Sequence, residues 1–219
     1  MDKNDFYAIF SNRQKNIHQN EDEIKDSIRK SLTISINSFL IDIFGWHFFS
    51  NYKDSYIDQI KRNIVDDVLK ERKNLYIHGS VGTGKTTLLL YIMKTILNKR
   101  MQQQVENLSL DTQELIDGIL FFNAVKLSNL LIDYNTDLDI IVNNTYLFID
   151  DLGTERTEHS RFISGLEYIV DYSYRNGFPL LFITSNIPLE NLFHGNLIRV
   201  ADRLRSNTVI LDIQGASYR

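Results

Sequence analysis

Gly79, Ser80, Val81, Gly82, Thr83, Gly84, Lys85 and Thr86 stand in the order G-x-x-x-x-G-K-[ST], a succession of residue types suited to holding a triphosphate. The glycines let successive backbone N–H groups converge on one centre and leave no side chain to block close approach of phosphate oxygens. In such a loop Lys85 reaches the β and γ phosphates, and the Thr86 hydroxyl ligates Mg2+. Thr87 follows at the start of the next element, so residues 79–87 are the expected nucleotide contacts, with ATP and Mg2+ the expected cofactors. A second run, Tyr146-Leu147-Phe148-Ile149-Asp150-Asp151, is an apolar strand ending in two acids. Opposite a phosphate-binding lysine, one acid holds Mg2+ and the other polarises an attacking water. Asp150 is assigned to the metal and Asp151 to the water. A third run, Phe182-Ile183-Thr184-Ser185-Asn186, ends in polar residues; Asn186 is the expected side chain beside the γ-phosphate, ahead of Thr184.

These residues need a scaffold. Leu75–His78 reads as a short apolar strand before the loop, and Leu88, Leu89, Ile92, Met93 and Ile96 recur at helical spacing after it, from Thr87 to Leu97. Further on, Ile119–Asn123, Tyr146–Ile149, Leu180–Thr184 and Val209–Asp212 read as strands, with helices over Ala124–Tyr134 and His159–Arg175. The alternation predicts an α/β fold with a parallel five-stranded sheet between helices and ligands at the carboxyl ends of the strands. The distance from Lys85 to Asp150 leaves room for a strand and helix between the two motifs. Asn98–Gly118 is polar and reads as a loop or insertion with a short helix.

Ahead of the sheet, Asn20-Glu21-Asp22-Glu23 has the form of a helix start, followed by Ile24, Ile28, Leu32, Phe39, Leu40 and Ile43. This pattern stops at Gly45. Tyr56, Ile60, Ile64 and Val68 mark a second helical segment from Tyr52 to Arg72. The chain is therefore divided at 1–72, a helical N-terminal region, and 73–219, the sheet domain. Trp46-His47-Phe48-Phe49 has two readings: packing between helices and the sheet domain, or a docking surface for a partner.

The 219 residues suffice for one ordinary domain with an appendage. With no cysteine there are no disulfides or thiolate metal sites, and the five histidines lack ligand spacing. No apolar run approaches the roughly 20 residues that span a bilayer, and the polar N-terminus has no signal-peptide pattern; a cytoplasmic protein without membrane contact is expected. The net charge is −4; residues 1–78 carry 12 basic and 12 acidic side chains, and residues 79–219 carry 12 and 16. Coating nucleic acid by bulk charge is thereby disfavoured, and any DNA contact requires a local patch.

Taken with the phosphate loop, Phe148-Ile149-Asp150-Asp151-Leu152-Gly153-Thr154-Glu155, Ile183-Thr184-Ser185-Asn186, Ala201-Asp202-Arg203-Leu204 and Gly215-Ala216-Ser217-Tyr218-Arg219 resemble the DnaC/IstB-type AAA+ ATPases. The resemblance covers roughly residues 73–219 in order. It implies an AAA+ P-loop NTPase fold, here without a C-terminal helical lid domain. It also makes Arg203 the candidate finger that enters a neighbouring subunit's site, and Arg219 a sensor-like arginine at the phosphates. Glu155 would lie near the site, and no zinc is implied. Members of this family form ring or spiral oligomers. The resemblance offers two partner sets: a replicative helicase with single-stranded DNA, as for helicase loaders, or a transposase with duplex DNA, as for transposition accessory ATPases. The loader reading is preferred because the near-neutral N-terminus with Trp46–Phe49 suits protein docking. A P-loop small-molecule kinase is the third reading, disfavoured because no acceptor-binding lid is evident and Asn186 and Arg203 would have no role.

Overall fold

The computed structural model describes residues 3–133, 135–153, 160–194 and 198–214, with residues 3–19 and 192–194 described in backbone only. The elements are α1 (Lys3–Phe44), α2 (Trp46–Asn51), α3 (Gln59–Glu71), β1 (Asn74–His78), α4 (Lys85–Glu106), α5 (Thr112–Ile116), β2 (Ile119–Asn123), α6 (Ala124–Ile132), α7 (Asp139–Val142), β3 (Tyr146–Leu152), α8 (Ser160–Asn176), β4 (Leu180–Ser185), α9 (Ile198–Ser206) and β5 (Thr208–Asp212). Short 3-10 turns cover Asp54–Tyr56 and Leu189–His194.

The five strands form one sheet in the order β2-β3-β4-β1-β5, and every pairing is parallel. A parallel sheet covered on both faces requires near-continuous apolar strands, as Leu75-Tyr76-Ile77, Leu147-Phe148-Ile149 and Leu180–Ile183 are. Asn74 is the buried polar exception in β1, and its Oδ1 accepts the Leu181 N–H at 2.9 Å. On one face α6, α8 and α9 contribute Leu127, Leu131, Phe162, Leu166, Ile169, Val200 and Leu204 to the core. The order has a functional consequence. The strand leading to the phosphate loop, β1, and the strand ending in the acids, β3, flank β4, so the end of β4 projects between the two motifs.

The chain resolves into two compact units: residues up to Phe49 with Lys94–Ile116, and Ser50–Met93 with the residues from Asp117 onward. This partition follows compactness and cuts the chain elsewhere than the change of pattern at residue 72. In the first unit α1 runs unbroken from Lys3, so Asn20 is inside the helix and caps nothing. No Gly or Pro interrupts residues 3–44, and a start signal within a favourable stretch does not stop a helix already under way. Its buried line is Ile28, Leu32, Ile36 and Leu40, while Ile24 is exposed. Gly45, at φ +82°, ends it.

The polar stretch after Leu97 is also helical, since α4 continues to Glu106 through Lys, Arg, Gln and Met, all good helix formers. The expectation of a loop over Asn98–Gly118 thus holds only beyond α4. There Gln104 is buried and clamps the turn, donating to the Asp111 carbonyl at 2.8 Å and accepting its N–H at 3.1 Å.

In the second unit Asp58 caps α3 by accepting the Lys61 N–H. Its buried residues are Val65 and Val68, with Ile57 before the helix, whereas Tyr56 and Ile60 are exposed. The buried stripe shares Val68 with the one read from the sequence but departs from it towards the start of the helix, because a line of residues at spacing four drifts around a helix of 3.6 residues per turn. Among the described residues no helix is long and apolar enough to cross a membrane.

Candidate functional site

The loop between β1 and α4 opens on Gly79 at φ +151°, where an added Cβ would lie 2.2 Å from the Ile213 carbonyl oxygen. Only glycine permits that approach, which continues the β1–β5 ladder through the Ile213 N–H bonded to the His78 carbonyl. Gly82 and Gly84 also have positive φ, +85° and +89°. Thr83 tightens the curl, its hydroxyl donating to the Ser80 carbonyl at 2.9 Å, while Val81 is exposed at the tip. Lys85 opens α4 and is buried, with Thr86 and Thr87 in the same first turn. Its Nζ donates at 2.8 Å to the carbonyls of Gly79 and Ser80 and to Asn186 Oδ1.

The second half of the site lies at the ends of β3 and β4. Thr86 Oγ1 is 3.1 Å from both oxygens of Asp150, and Thr184 Oγ1 donates to Asp150 Oδ1 at 2.6 Å. Asp150 is buried, and burial is the main cause holding its carboxyl above the usual carboxylate range, with the charge of Asp151 adding to it. The hydroxyls of Thr184 and Thr86 and the Lys85 ammonium oppose that rise.

Asp151 occupies the left-handed region at φ +60°. The cause is a bulge: Ile149 pairs with Ile183 and Leu152 with Ser185, so β3 fits Asp150 and Asp151 opposite the single residue Thr184. A bulge in this place changes the direction of the second acid relative to the first.

Asn186 is held from both sides. The Ser185 hydroxyl donates to the Leu152 carbonyl at 2.6 Å and accepts the Ile187 N–H at 2.9 Å. The Ile187 carbonyl accepts the hydroxyl of the buried Tyr76 at 2.7 Å. Neither Tyr76 nor Ser185 stood out in the sequence. Their signal was a polar atom in an otherwise apolar strand, which must find a partner when buried.

Two hydrogen-bonded groups thus meet at the strand ends: Lys85 with Asn186, and Thr86 with Asp150 and Thr184, which Asp151 joins through its N–H. The Lys85 ammonium acts on Asp150 through its charge. Arg203 sits on α9, where its Nε donates to Asp171 Oδ1 of α8 at 2.6 Å; Arg175 pairs with the other oxygen at 2.9 Å. Arg219 and Glu155 lie outside the described residues. Among the described residues no group of three or more His, Cys, Asp or Glu side chains could hold a metal. Thr86 and Asp150 do converge as an oxygen donor pair, which suits Mg2+ completed by phosphate and water oxygens.

No protein-family model matches the chain, and no curated protein matches it. Among solved structures, that of DnaI is 24% identical with a TM-score of 0.56, over 75% of this chain and 92% of that one. The structure of the DnaC helicase loader is 23% identical with a TM-score of 0.57, over 77% and 99%. That of AMPPCP-bound DnaA from Aquifex aeolicus is 17% identical with a TM-score of 0.54, over 71% and 46%. At these identities the likeness is one of fold, and the chain shares with the DnaI and DnaC structures an α/β fold in which a parallel five-stranded sheet carries a phosphate loop.

Proposed function

We propose that the chain binds and hydrolyses ATP with Mg2+ at the carboxyl ends of β1, β3 and β4, and that it acts as a helicase loader. The observation that carries the reading is the meeting of these two groups: a phosphate-loop lysine bonded to the amide, and a phosphate-loop threonine bonded to the first acid, with the second acid beside it, all at the carboxyl ends of β1, β3 and β4. Lys85, now bonded to carbonyls and to Asn186, exchanges these partners for phosphate oxygens, and Asn186 stays within reach of the same ammonium. Thr86 and Asp150 hold Mg2+, which neutralises charge on the phosphates. Asp151 takes the proton of the attacking water, Asn186 orients that water, and the backbone of residues 79–84 cradles the anion.

One feature supports self-assembly. Arg203 is bound to Asp171 through Nε, so its fork is anchored at one nitrogen on the α8–α9 surface, which suits a finger reaching into a neighbouring subunit. Arg219 is assigned to the phosphates by family resemblance alone. For partner docking the support is α2, none of whose residues is buried and whose Trp46 is 67% exposed. The occupant that best suits an ATPase with a DnaC-like fold is a replicative helicase, with single-stranded DNA engaged in the assembly. Residues 1–72 are proposed as the docking region and 73–219 as the motor.

The test is co-purification of the full chain with a hexameric replicative helicase in ATP and in ADP. A stable complex that Trp46→Ser weakens by about tenfold or more, as a central aromatic anchor would, supports the reading. Failure to bind the helicase, with ATP-dependent assembly on duplex DNA instead, contradicts it in favour of a transposition accessory role.

A further inference from the structure

We propose that Thr184 is a positioning residue of this site, its hydroxyl setting both acids at once by bridging the Asp150 carboxylate and the left-handed peptide of Asp151. The inference rests on the nucleotide and Mg2+ reading above and concerns how this chain prepares its side of the metal site.

Thr184 is fully buried at the end of β4, between Ile183 and Ser185, which are also buried. Its hydroxyl donates to Asp150 Oδ1 at 2.6 Å and accepts the Asp151 N–H at 2.8 Å. The hydroxyl proton is thereby committed to the carboxylate and a lone pair to the neighbouring peptide, so Thr184 does not meet the nucleotide or the attacking water. It faces the bulge directly, as the one β4 residue opposite the two acids. A non-glycine residue at φ +60° is disfavoured by its own backbone and persists only where its surroundings hold it. The Thr184 hydroxyl is such a hold. Ser185 repeats the device on the far side of the bulge, where its hydroxyl donates to the Leu152 carbonyl. Two consecutive hydroxyls therefore clamp the bulge at both ends, and the one at 184 also aims the carboxylate that shares a donor pair with Thr86. An alternative in which Thr184 merely fills space requires only its shape, which valine reproduces.

The experiment titrates a fluorescent ATP analogue into the full chain, once in EDTA and once in Mg2+, for wild type, Thr184→Val and Thr184→Ser, and follows turnover in parallel. Thr184→Val is expected to bind in EDTA within about twofold of wild type, because Lys85 and the loop are untouched. The tightening that Mg2+ brings should fall by about tenfold or more, as when a residue supporting a metal ligand is lost. The rate constant at saturating Mg2+ and nucleotide should fall with it, because Asp151 loses its hold. Thr184→Ser keeps the hydroxyl and should restore both the Mg2+ response and the rate.

Unchanged Mg2+ tightening in Thr184→Val, or a loss that is equal in EDTA and Mg2+, overturns the proposal, as does a serine variant that behaves like the valine one. If Thr184→Val does not fold, Thr184→Ser decides: a full Mg2+ response supports the proposal and its loss contradicts it. Wild-type chain that binds no nucleotide in either buffer overturns the underlying reading as well, which separates the two failures.

Discussion

At Asp150 a carboxylate is buried beside a second acid, with two hydroxyls and one ammonium to keep it charged. Its proton affinity is raised in the fold, so the folded chain holds that proton more tightly than the unfolded chain. The associated stability is complete below the unfolded value and is lost as pH rises through the raised one. At neutral pH the metal-free protein therefore carries a charge it would fold better without. Asp150→Asn is expected to raise the urea midpoint in EDTA at pH 7 by the equivalent of about 1 kcal/mol, as when a functional site is relieved of strain. The gap should close as pH falls, and the Mg2+ response should be absent. A lower midpoint for the variant at pH 7 would contradict this account. The loop and the acids were legible because their chemistry needs fixed residue types at fixed spacing. The φ of Asp151 was not, since a bulge arises from the register between two strands. Nor was the pairing of Arg203 with Asp171, which depends on how α8 and α9 pack.

At the scale of elements, the five strands are where their apolar runs place them, and the three central ones, buried on both faces, have no other way to be written. Helix ends were harder to read. Asn20–Glu23 carries a start signal that α1 overrides, and the polar second half of α4 has the composition of a loop but the propensity of a helix. The polar latch at the end of β4 was not legible either, as it joins Tyr76 in the middle of β1 to Leu152 at the end of β3 and to Ser185 and Ile187 at and just beyond the end of β4. Tyr76→Phe removes its outermost bond and leaves the Ile187 carbonyl without that donor. The expected cost is about 1 kcal/mol in urea unfolding, the usual net contribution of one hydrogen bond whose freed acceptor is only half-buried. Turnover should fall while nucleotide affinity is kept, because Asn186 loses its support and the loop does not. A variant with wild-type stability and rate would show that the latch holds nothing.

Over the whole molecule, the parallel sheet and its helices were legible, while the division into compact units was not. The second half of α4 and α5 belong with α1, and only the three-dimensional contacts reveal that a segment after the phosphate loop joins the N-terminal helices. The proposed function places half of the hydrolytic site on each of two copies: Lys85, Thr86, Asp150, Asp151 and Asn186 on one, and Arg203 on the other. The most direct measurement mixes full-length Lys85→Ala and Arg203→Ala chains and follows ATP turnover. Each variant alone should be inactive, the first without bound nucleotide and the second with it. An equal mixture should recover about a quarter of wild-type turnover, because one interface in four then pairs an intact loop with an intact finger. Full turnover by Arg203→Ala alone, or by Lys85→Ala alone, would contradict the account.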